Sequence, residues 1–326
     1  MGARLVGALS EAPLPPLVKG ESVASMAVSE STETSWWLAR VREPDDSLYL
    51  QGAPPRWLRM RSAGDRAPGP DTSVEEIDDP RSWFEQRPAH LYPRVLEASV
   101  RKGGLSGSLG DYRLEAPFES RKVIGIGRNY RAHAEEMGNE VPTTPLSFFK
   151  SPTCLLASGE PIALPSGYER IDMESELVVV VGQRARHVSA ADAWQVVGGY
   201  TLGNDVSNRD LQKADKQWTR AKGFDDFGPC GPFIRLTPPG FELPVSNMKI
   251  CGYLNDQRVQ EGSCELMIFD IPALIAHLSE VMTLEVGDLI YTGTPAGVSA
   301  LAPGDRVRIE VEGFALGALC NPVVRA

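Results

Sequence analysis

The sequence lacks the features by which secreted and membrane-spanning chains are usually recognised. Its five cysteines are odd in number and include no Cys-x-x-Cys pair, which suits a compartment that keeps thiols reduced. No apolar run approaches the roughly 18 residues that a membrane-spanning helix requires. The amino terminus also lacks a basic segment followed by an apolar core and a cleavage site. We therefore expect a cytoplasmic protein.

Basic residues are scarce relative to acidic ones. The chain has 33 lysines and arginines against 43 aspartates and glutamates, which gives a net charge of -10. A nucleic-acid-binding protein needs a basic face for the phosphate backbone, so we expect no nucleic-acid partner. The negative balance likewise argues against a membrane surface. With 42% hydrophobic and 23% charged residues, the composition is that of an ordinary globular protein.

The chain is long for one hydrophobic core, since 326 residues exceed the roughly 250 to 300 that a single core usually holds. The Pro- and Ser-containing segment 1–34 predicts a flexible extension. Alternating apolar residues between 36 and 58 predict short strands, and the polar, turn-rich segment 61–79 predicts a flexible connector. We therefore expect a small β-containing region over 35–118 and a main domain over 119–326.

Three acidic residues near two predicted strands are the most informative feature of the main domain. Glu174 and Glu176 lie at the start of an apolar β-branched run that ends at Gly182. Such a run is typical of a buried strand. Residues two apart on a strand point to the same side, so these carboxylates should project together. Asp205 follows the strand-like segment 200–204 and would join them if the two strand ends meet.

Buried carboxylates that lie close together need a counter-charge. Burial disfavours the ionised form of each carboxyl, and so do the negative charges of its neighbours. Without a cation, one of these carboxyls should therefore take up a proton. Three carboxylates without nearby Cys or His favour Mg²⁺, Mn²⁺ or Ca²⁺ over zinc or copper. An exposed Glu-x-Glu at an ordinary strand start is the alternative, and it is the commoner situation for an isolated pair.

A second polar cluster lies upstream. The segment 122–127 predicts a strand that runs into a short helix over 128–138 with a glycine stop. His133 and Glu136 are three residues apart, so they share a helix face, where the carboxylate can orient the imidazole and the pair can take a proton from water. Such pairs are also common on exposed surfaces. The neighbouring glycines give no dinucleotide signature, because no third glycine is in register.

These residues resemble the fumarylacetoacetate hydrolase family. The similarity runs in order from about Lys122 to the carboxyl terminus. Its five segments are 126–138, 173–177, 204–212, 218–225 and 292–298. The resemblance implies a mixed α/β, β-rich catalytic domain of mixed β-sheets rolled into a barrel-like body, and it implies a homodimer.

The resemblance also assigns roles to individual residues. It implies that Glu174, Glu176 and Asp205 bind Mg²⁺ or a related cation. It implies that His133 and Glu136 activate water and that Lys222 lies beside the carbonyl at which charge develops. The residues that it places at the substrate are Arg128, Tyr130, Arg209, Gln212 and Thr294. Selectivity for the rest of the substrate is expected from the loop 142–152 and from the amino-terminal region.

The implied activity is hydrolysis of a carbon–carbon bond in a 1,3-diketo acid of the acylpyruvate type, through a metal-bound enolate. The same site would suit a decarboxylase, or a keto–enol or double-bond isomerase, of a 2-oxo acid. Fold-level analogy does not choose among these reactions. A repurposed protein that holds a diketone without hydrolysing it is a third alternative, and the complete set of clustered titratable residues argues against it.

Overall fold

The computed structural model describes residues 34–42, 56–63, 66–77, 91 and 106–326. The predicted extension 1–34 lies outside this part of the chain except for Thr34. The described strands are β1 (Thr34–Arg42), β2 (Arg56–Ala63), β3 (Ser73–Ile77), β4 (Ser106–Ser108), β5 (Arg113–Glu115), β6 (Val123–Gly127), β7 (Leu146–Lys150), β8 (Leu155–Leu156), β9 (Ile162–Leu164), β10 (Ile171–Met173), β11 (Ser175–Val181), β12 (Val197–Asn204), β13 (Ser207–Asn208), β14 (Gly228–Leu236), β15 (Lys249–Leu254), β16 (Gln257–Ser263), β17 (Leu289–Tyr291), β18 (Ser299–Ala300), β19 (Arg306–Glu312) and β20 (Ala318–Arg325). The described α-helices are α1 (Arg131–Glu136), α2 (Arg209–Asp215), α3 (Thr219–Lys222) and α4 (Ile271–Val281).

These strands form three sheets with few helices around them, which confirms the predicted β-rich, mixed fold. The largest sheet has 12 strands and follows the order β4-β3-β2-β1-β14-β12-β11-β17-β6-β7, with β5 beside β1 and β8 beside β14. A second sheet has the order β16-β15-β19-β20-β9, and a third the order β13-β10-β18. Most neighbours are antiparallel, whereas β17 runs parallel to β6, β8 to β14 and β9 to β20.

Strand β11 is buried along its whole length, and both of its faces pack against hydrophobic clusters. Leu177, Val179 and Val181 belong to the larger hydrophobic cluster, which also contains the buried side of α4. Val178 and Val180 point the other way, into a second cluster. A near-continuous β-branched run is what a strand covered on both sides requires. The acidic residues at the start of β11 are therefore held next to the most buried part of the fold.

The amino-terminal strands extend the same sheet. Strand β1 pairs with β14 at Trp37 opposite Arg235, and it pairs with β2 along its length. The predicted strand near residue 36 is therefore confirmed. The boundary predicted at 118/119 stays a prediction.

The flexible connector predicted over 61–79 is wrong where the structure describes it. Strand β3 occupies Ser73–Ile77, and Ile77 is fully buried. The prediction failed because charged residues of this segment form ion pairs across neighbouring strands. A Glu75 carboxylate oxygen, for example, lies 2.7 Å from Arg59 Nε. Strand β7 likewise replaces much of the loop expected at 142–152.

All five cysteines are free thiols. Within the part of the chain that the structure describes, no helix is both long enough and apolar enough to cross a bilayer.

Candidate active site

The turn that follows β6 carries the first wall of the site. Gly125 and Gly127 leave no room for a Cβ, since one built on Gly125 would lie 2.2 Å from the Phe148 ring and one on Gly127 would lie 2.3 Å from the Trp218 ring. These two glycines therefore serve aromatic packing. The next residue, Arg128, has a φ of 58°, a left-handed conformation that costs free energy for any residue with a side chain.

Asn129 holds this turn in place through hydrogen bonds of its side chain. The side chain is fully buried, and its Nδ2 donates to the carbonyl oxygens of Phe269 at 3.0 Å and Thr292 at 2.7 Å. Its Oδ1 accepts from the Phe269 N–H at 2.8 Å. Three hydrogen bonds made by this one buried amide fix the turn against two other segments of the chain, and so they hold the left-handed residue before it.

Replacing Asn129 by Ala should lower the free energy of unfolding by about 3 kcal/mol, because it leaves buried donors and acceptors without partners. Urea denaturation of wild type and variant measures the difference. Asn247→Ala, which truncates an exposed asparagine, is the matched control and should stay within about 0.5 kcal/mol of wild type. A loss for Asn129→Ala no larger than the control's would contradict the anchoring role.

His133 and Glu136 lie on α1, as predicted. The His133 Nδ1 is 3.4 Å from a Glu136 carboxylate oxygen, and its Nε2 is 3.9 Å from Glu174 Oε1. The Glu136 carboxylate also accepts from the Gly297 N–H, with both oxygens at 3.1 Å. The imidazole is buried and lies between two carboxylates, a position from which it can hold or release a proton.

The three acidic residues meet because β11 and β12 are paired. Ser175 lies opposite Asn204 in the antiparallel register, so Glu174 and Asp205 flank the same end of the pair, and the Asp205 N–H donates to the Glu174 carbonyl at 2.9 Å. One carboxylate oxygen from each of Glu174, Glu176 and Asp205 lies within 4.8 Å of the others, and all three residues are buried. The predicted convergence of the two strand ends is therefore present.

Two lysines compensate part of this negative charge. Lys222 Nζ donates to Glu174 Oε2 at 2.7 Å and to Asp205 Oδ2 at 2.5 Å. Lys150 Nζ donates to the other oxygen of Asp205 at 2.6 Å, and its side chain is fully buried. The sequence interpretation missed Lys150, because its partner lies 55 residues away and nothing beside it in β7 signals a carboxylate.

An arginine links the acidic cluster to a fourth carboxylate. Arg209, the first residue of α2, donates from Nη2 to Glu174 Oε1 at 2.7 Å and from Nε to Asp172 Oδ2 at 2.8 Å. Its Nη1 donates to Gln212 Oε1 at 2.8 Å. Asp172 is fully buried and was also missed, although it lies two residues before Glu174 in the same segment. All three nitrogen atoms of the guanidinium are therefore engaged.

The acidic residues differ in how their charges are balanced. Burial alone would raise the pKa of Glu174, but Lys222 and Arg209 hold it well below its ordinary value. The pKa of Glu176 is raised well above its ordinary value by burial and by the charges of Asp205 and Glu174. Among the described residues, Glu176 has no hydrogen-bonded cationic partner, and its Oε2 accepts only from the Gly293 N–H at 2.7 Å.

This donor set fits a hard divalent cation. The clustered ligand atoms are all carboxylate oxygens, which Mg²⁺, Mn²⁺ and Ca²⁺ prefer. Among the described residues, no lysine or arginine forms an ion pair with Glu176, so a bound cation would supply its direct counter-charge. A cation held by Glu174, Glu176 and Asp205 would relieve the repulsion that otherwise favours protonation.

A cavity of about 280 Å³ opens beside the acidic cluster, which is near the lower end of the range for small-molecule sites, roughly 300 to 1,000 Å³. The predicted residues that line it are Arg128, His133, Glu174, Glu176, Arg209, Gln212, Lys222 and Thr294. The Thr294 hydroxyl donates to the backbone carbonyl oxygen of Ser175 at 2.9 Å, which fixes the side chain of Thr294. Trp218, which was not singled out from the sequence, forms part of the wall.

The structure does not bring Tyr130 to the cavity lining. The residue is the N-cap of α1 and is buried, and its hydroxyl lies near the Cys264 thiol. Burial, together with Cys264 and Glu176, raises the pKa of the phenol. Its predicted contact with substrate therefore stays a prediction for which this geometry offers no direct route.

Comparison with known proteins places this site in context. The family model described as fumarylacetoacetate (FAA) hydrolase C-terminal matches residues 122–324. The mitochondrial oxaloacetate tautomerase of Oryza sativa subsp. japonica is 41% identical over 202 residues, which cover 60% of this chain and 86% of that protein. The mitochondrial oxaloacetate decarboxylase of Dictyostelium discoideum is 39% identical over 199 residues, which cover 60% of this chain and 90% of that protein. The structure of 5-carboxymethyl-2-hydroxymuconate delta-isomerase from Mycobacterium smegmatis aligns with a TM-score of 0.70 and 38% identity, covering 89% of this chain and 99% of that one.

Proposed function

The chain belongs to the fumarylacetoacetate hydrolase family, and from that premise we propose that it is a metal-dependent enzyme that hydrolyses a carbon–carbon bond in a 1,3-diketo acid of the acylpyruvate type. The observation that carries the proposal is that Glu174, Glu176 and His133 line one cavity, while Asp205 completes the carboxylate cluster and Glu136 lies 3.4 Å from the His133 imidazole. One group can hold a cation and the other can move a proton, which hydrolysis of such a substrate requires.

Glu174, Glu176 and Asp205 would hold the divalent cation. When bound, it supplies Lewis-acid stabilisation of negative charge on the oxygens of a 2-oxo acid. Mg²⁺ or Mn²⁺ suits the carboxylate set best, and Ca²⁺ would also be accommodated by oxygen ligands.

Side chains of the protein carry out the proton transfers. His133, as a neutral imidazole, takes a proton from water, while Glu136 orients the ring and stabilises the imidazolium that forms. The resulting hydroxide adds to the distal ketone, the bond between that carbon and the methylene breaks, and the methylene fragment leaves as an enolate. The products are a carboxylate and, after the enolate takes up a proton, a 2-oxo acid. Lys222 and Gln212, which both line the cavity, would stabilise the oxygens on which negative charge accumulates.

A second function in the same site is decarboxylation or tautomerisation of a 2-oxo acid. The relatives in Oryza sativa and Dictyostelium discoideum are named for oxaloacetate tautomerisation and decarboxylation, and the Mycobacterium smegmatis structure is named for an isomerase. These reactions also pass through an enolate and need a proton shuttle, but they need no attacking water. A homodimer, which the family resemblance implies, and a cytoplasmic location, which the composition of the sequence suggests, remain part of the proposal.

The test is an assay with Mg²⁺ on acetylpyruvate and oxaloacetate, with products identified by mass. We expect two fragments from acetylpyruvate, a rate that chelator removes and Mg²⁺ restores, and loss of that rate in Glu174→Ala. Release of CO₂ from oxaloacetate, or a change of tautomer without a change of mass, would support the second function instead. Glu261→Ala, at an exposed acidic residue of β16, should retain wild-type turnover. A turnover rate that changes neither on addition of the chelator nor in Glu174→Ala would contradict a metal-dependent site.

A further inference from the structure

Gln260 is a fully buried amide of β16 that does not itself line the cavity. Its Oε1 accepts from the Ser175 N–H at 2.9 Å. Its Nε2 donates to Thr294 Oγ1 at 2.8 Å and to the Pro295 carbonyl oxygen at 2.9 Å. A backbone N–H can only donate and a backbone carbonyl can only accept, so these two partners determine the orientation of the amide. One side chain therefore joins the second sheet to two segments of the active site.

The hydrogen bonds of Gln260 continue into a closed ring through Ser175. The Thr294 hydroxyl, which accepts from Gln260, donates to the Ser175 carbonyl oxygen at 2.9 Å. Ser175 is therefore held at both its N–H and its carbonyl group. Because Ser175 lies between Glu174 and Glu176, this ring restrains the backbone from which both carboxylates project.

The loop 293–297 connects the carboxylate cluster with the histidine–glutamate pair. At its start, the Gly293 N–H donates to Glu176 Oε2 at 2.7 Å. At its end, the Gly297 N–H donates to the Glu136 carboxylate, with both oxygens at 3.1 Å. The hydrogen bonds from β16 reach the loop between these two points. A shift of the loop would therefore move a partner of each group at the same time.

The β15–β16 hairpin has glycines where it meets these segments. A Cβ on Gly262, two residues after Gln260, would lie 2.3 Å from Pro295 Cβ. A Cβ on Gly252, which pairs with Gln260 across the two strands, would lie 2.2 Å from Ser175 Oγ. Glycine at both positions allows the close backbone approach that the hydrogen bonds of Gln260 require.

We propose that Gln260 is a positioning residue of the active site, which holds the backbone of the metal-binding carboxylates and the loop 293–297 in place. The inference rests on the proposed function, because it treats Glu174 and Glu176 as ligands of a divalent cation. Gln260 acts through Ser175 and the loop, and it does not contact the substrate. Outer partners of metal ligands typically change metal affinity or activity by about 10 to 100-fold.

Gln260→Met tests this assignment, because methionine has a similar length but makes none of the three hydrogen bonds. Calorimetric titration of the full-length protein with Mg²⁺ should give an affinity about tenfold lower than that of wild type. At saturating Mg²⁺, kcat for acetylpyruvate should fall about tenfold while KM stays within about threefold of wild type. A rise in KM alone would assign Gln260 to substrate binding and overturn the proposal.

Asn321→Leu is the matched control for the loss of a buried amide. Asn321 is also buried, and its Nδ2 donates to the carbonyl oxygens of Ala157 and Glu160, both at 2.8 Å. It does not line the cavity. Both substitutions should lower the urea concentration at the unfolding midpoint, but only Gln260→Met should lower the Mg²⁺ affinity. Equal Mg²⁺ affinities of the two variants would reduce Gln260 to a purely structural role and overturn the proposal.

Gly262→Ala perturbs the same contact while keeping the amide, since the added Cβ must displace Pro295. It should also lower the Mg²⁺ affinity. If Gln260→Met does not fold, an unchanged affinity in Gly262→Ala would overturn the proposal. A wild type that binds no Mg²⁺ would overturn the proposed function together with this assignment. A wild type that binds Mg²⁺, with an unchanged affinity in folded Gln260→Met, would overturn the assignment alone.

Discussion

Replacing Glu176 by Gln should abolish divalent-cation binding and at the same time stabilise the metal-free protein at neutral pH. The change preserves shape, and the glutamine oxygen can still accept from the Gly293 N–H. It removes the one carboxylate of the cluster that no cationic side chain contacts among the described residues. We expect the Mg²⁺ affinity to fall by about 100-fold or more, because the charge of the ligand set governs the affinity of carboxylate sites. Turnover should be lost with it.

The sign of the stability change follows from the pKa of Glu176. Burial and the charges of Asp205 and Glu174 raise that pKa above its ordinary value of 4.5. The folded metal-free protein therefore binds this proton more tightly than the unfolded chain does. Its stability falls as pH rises from 4.5 through the raised pKa, and the loss is complete above that pKa. Glutamine cannot ionise, so the variant escapes this loss.

Calorimetric titration with Mg²⁺ and thermal unfolding at pH 6 and pH 8 measure both effects. In wild type, Mg²⁺ should raise the melting temperature more at pH 8 than at pH 6, because the cation must displace the proton from Glu176 at the lower pH. In Glu176→Gln, the shift should vanish at both pH values. Glu242→Gln, at an exposed position, should behave as wild type. Retention of Mg²⁺ affinity within about tenfold in Glu176→Gln would remove this residue from the ligand set.

The convergence of the three acidic residues was predictable because it depends on local patterns. The apolar run after Glu176 determines that β11 is buried, and the short strand before Asp205 ends where β11 begins. The antiparallel register of two consecutive strands then brings the carboxylates together. His133 and Glu136 are predictable for the same reason, since a spacing of three on one helix requires no knowledge of the rest of the fold.

The compensating charges were not predictable, because they depend on contacts between distant segments. Lys150 ends an apolar strand, and only the pairing of β7 with β6 carries it to the Asp205 carboxylate. Trp218 contributes to the wall because Gly127, about 90 residues earlier, leaves room for its ring. Strand β1 was visible in the alternation of residues near Trp36, but its partner β14 lies almost 200 residues away. Residue types and their alternation along the sequence identify the strands and helices. Which distant segments contact each other depends instead on the topology of the sheets.

Asp172 is an intermediate case. It lies two residues before Glu174, so the spacing that made Glu174 and Glu176 conspicuous also applied to it. Its function became evident only when Arg209 was found between Asp172 and Glu174, with both contacts shorter than 3 Å. The metal-binding carboxylates and the carboxylate that orients Arg209 are thus similar in sequence but differ in their partners.

Replacing His133 by Ala should reduce hydrolysis of an acylpyruvate by about 10² to 10⁴-fold while leaving Mg²⁺ affinity within about threefold of wild type. The imidazole lies 3.9 Å from Glu174 Oε1, close enough to act beside the acidic cluster yet beyond hydrogen-bond distance of it. Removing the ring therefore leaves the three carboxylates and their lysine partners in place. The variant loses the group that accepts the proton of water.

Comparing two reactions makes this prediction more specific. Hydrolysis needs a water molecule to be deprotonated, whereas decarboxylation of oxaloacetate needs only that the enolate be stabilised and then protonated. His133→Ala should therefore lower the rate of hydrolysis far more than any decarboxylation the wild type shows, and Glu136→Gln should lower hydrolysis to a smaller extent. His277→Ala, on α4 outside the cavity lining, controls for the loss of an imidazole. Loss of Mg²⁺ binding in His133→Ala would instead make the histidine part of the metal site, and hydrolysis within about tenfold of wild type would assign the activation of water to another group.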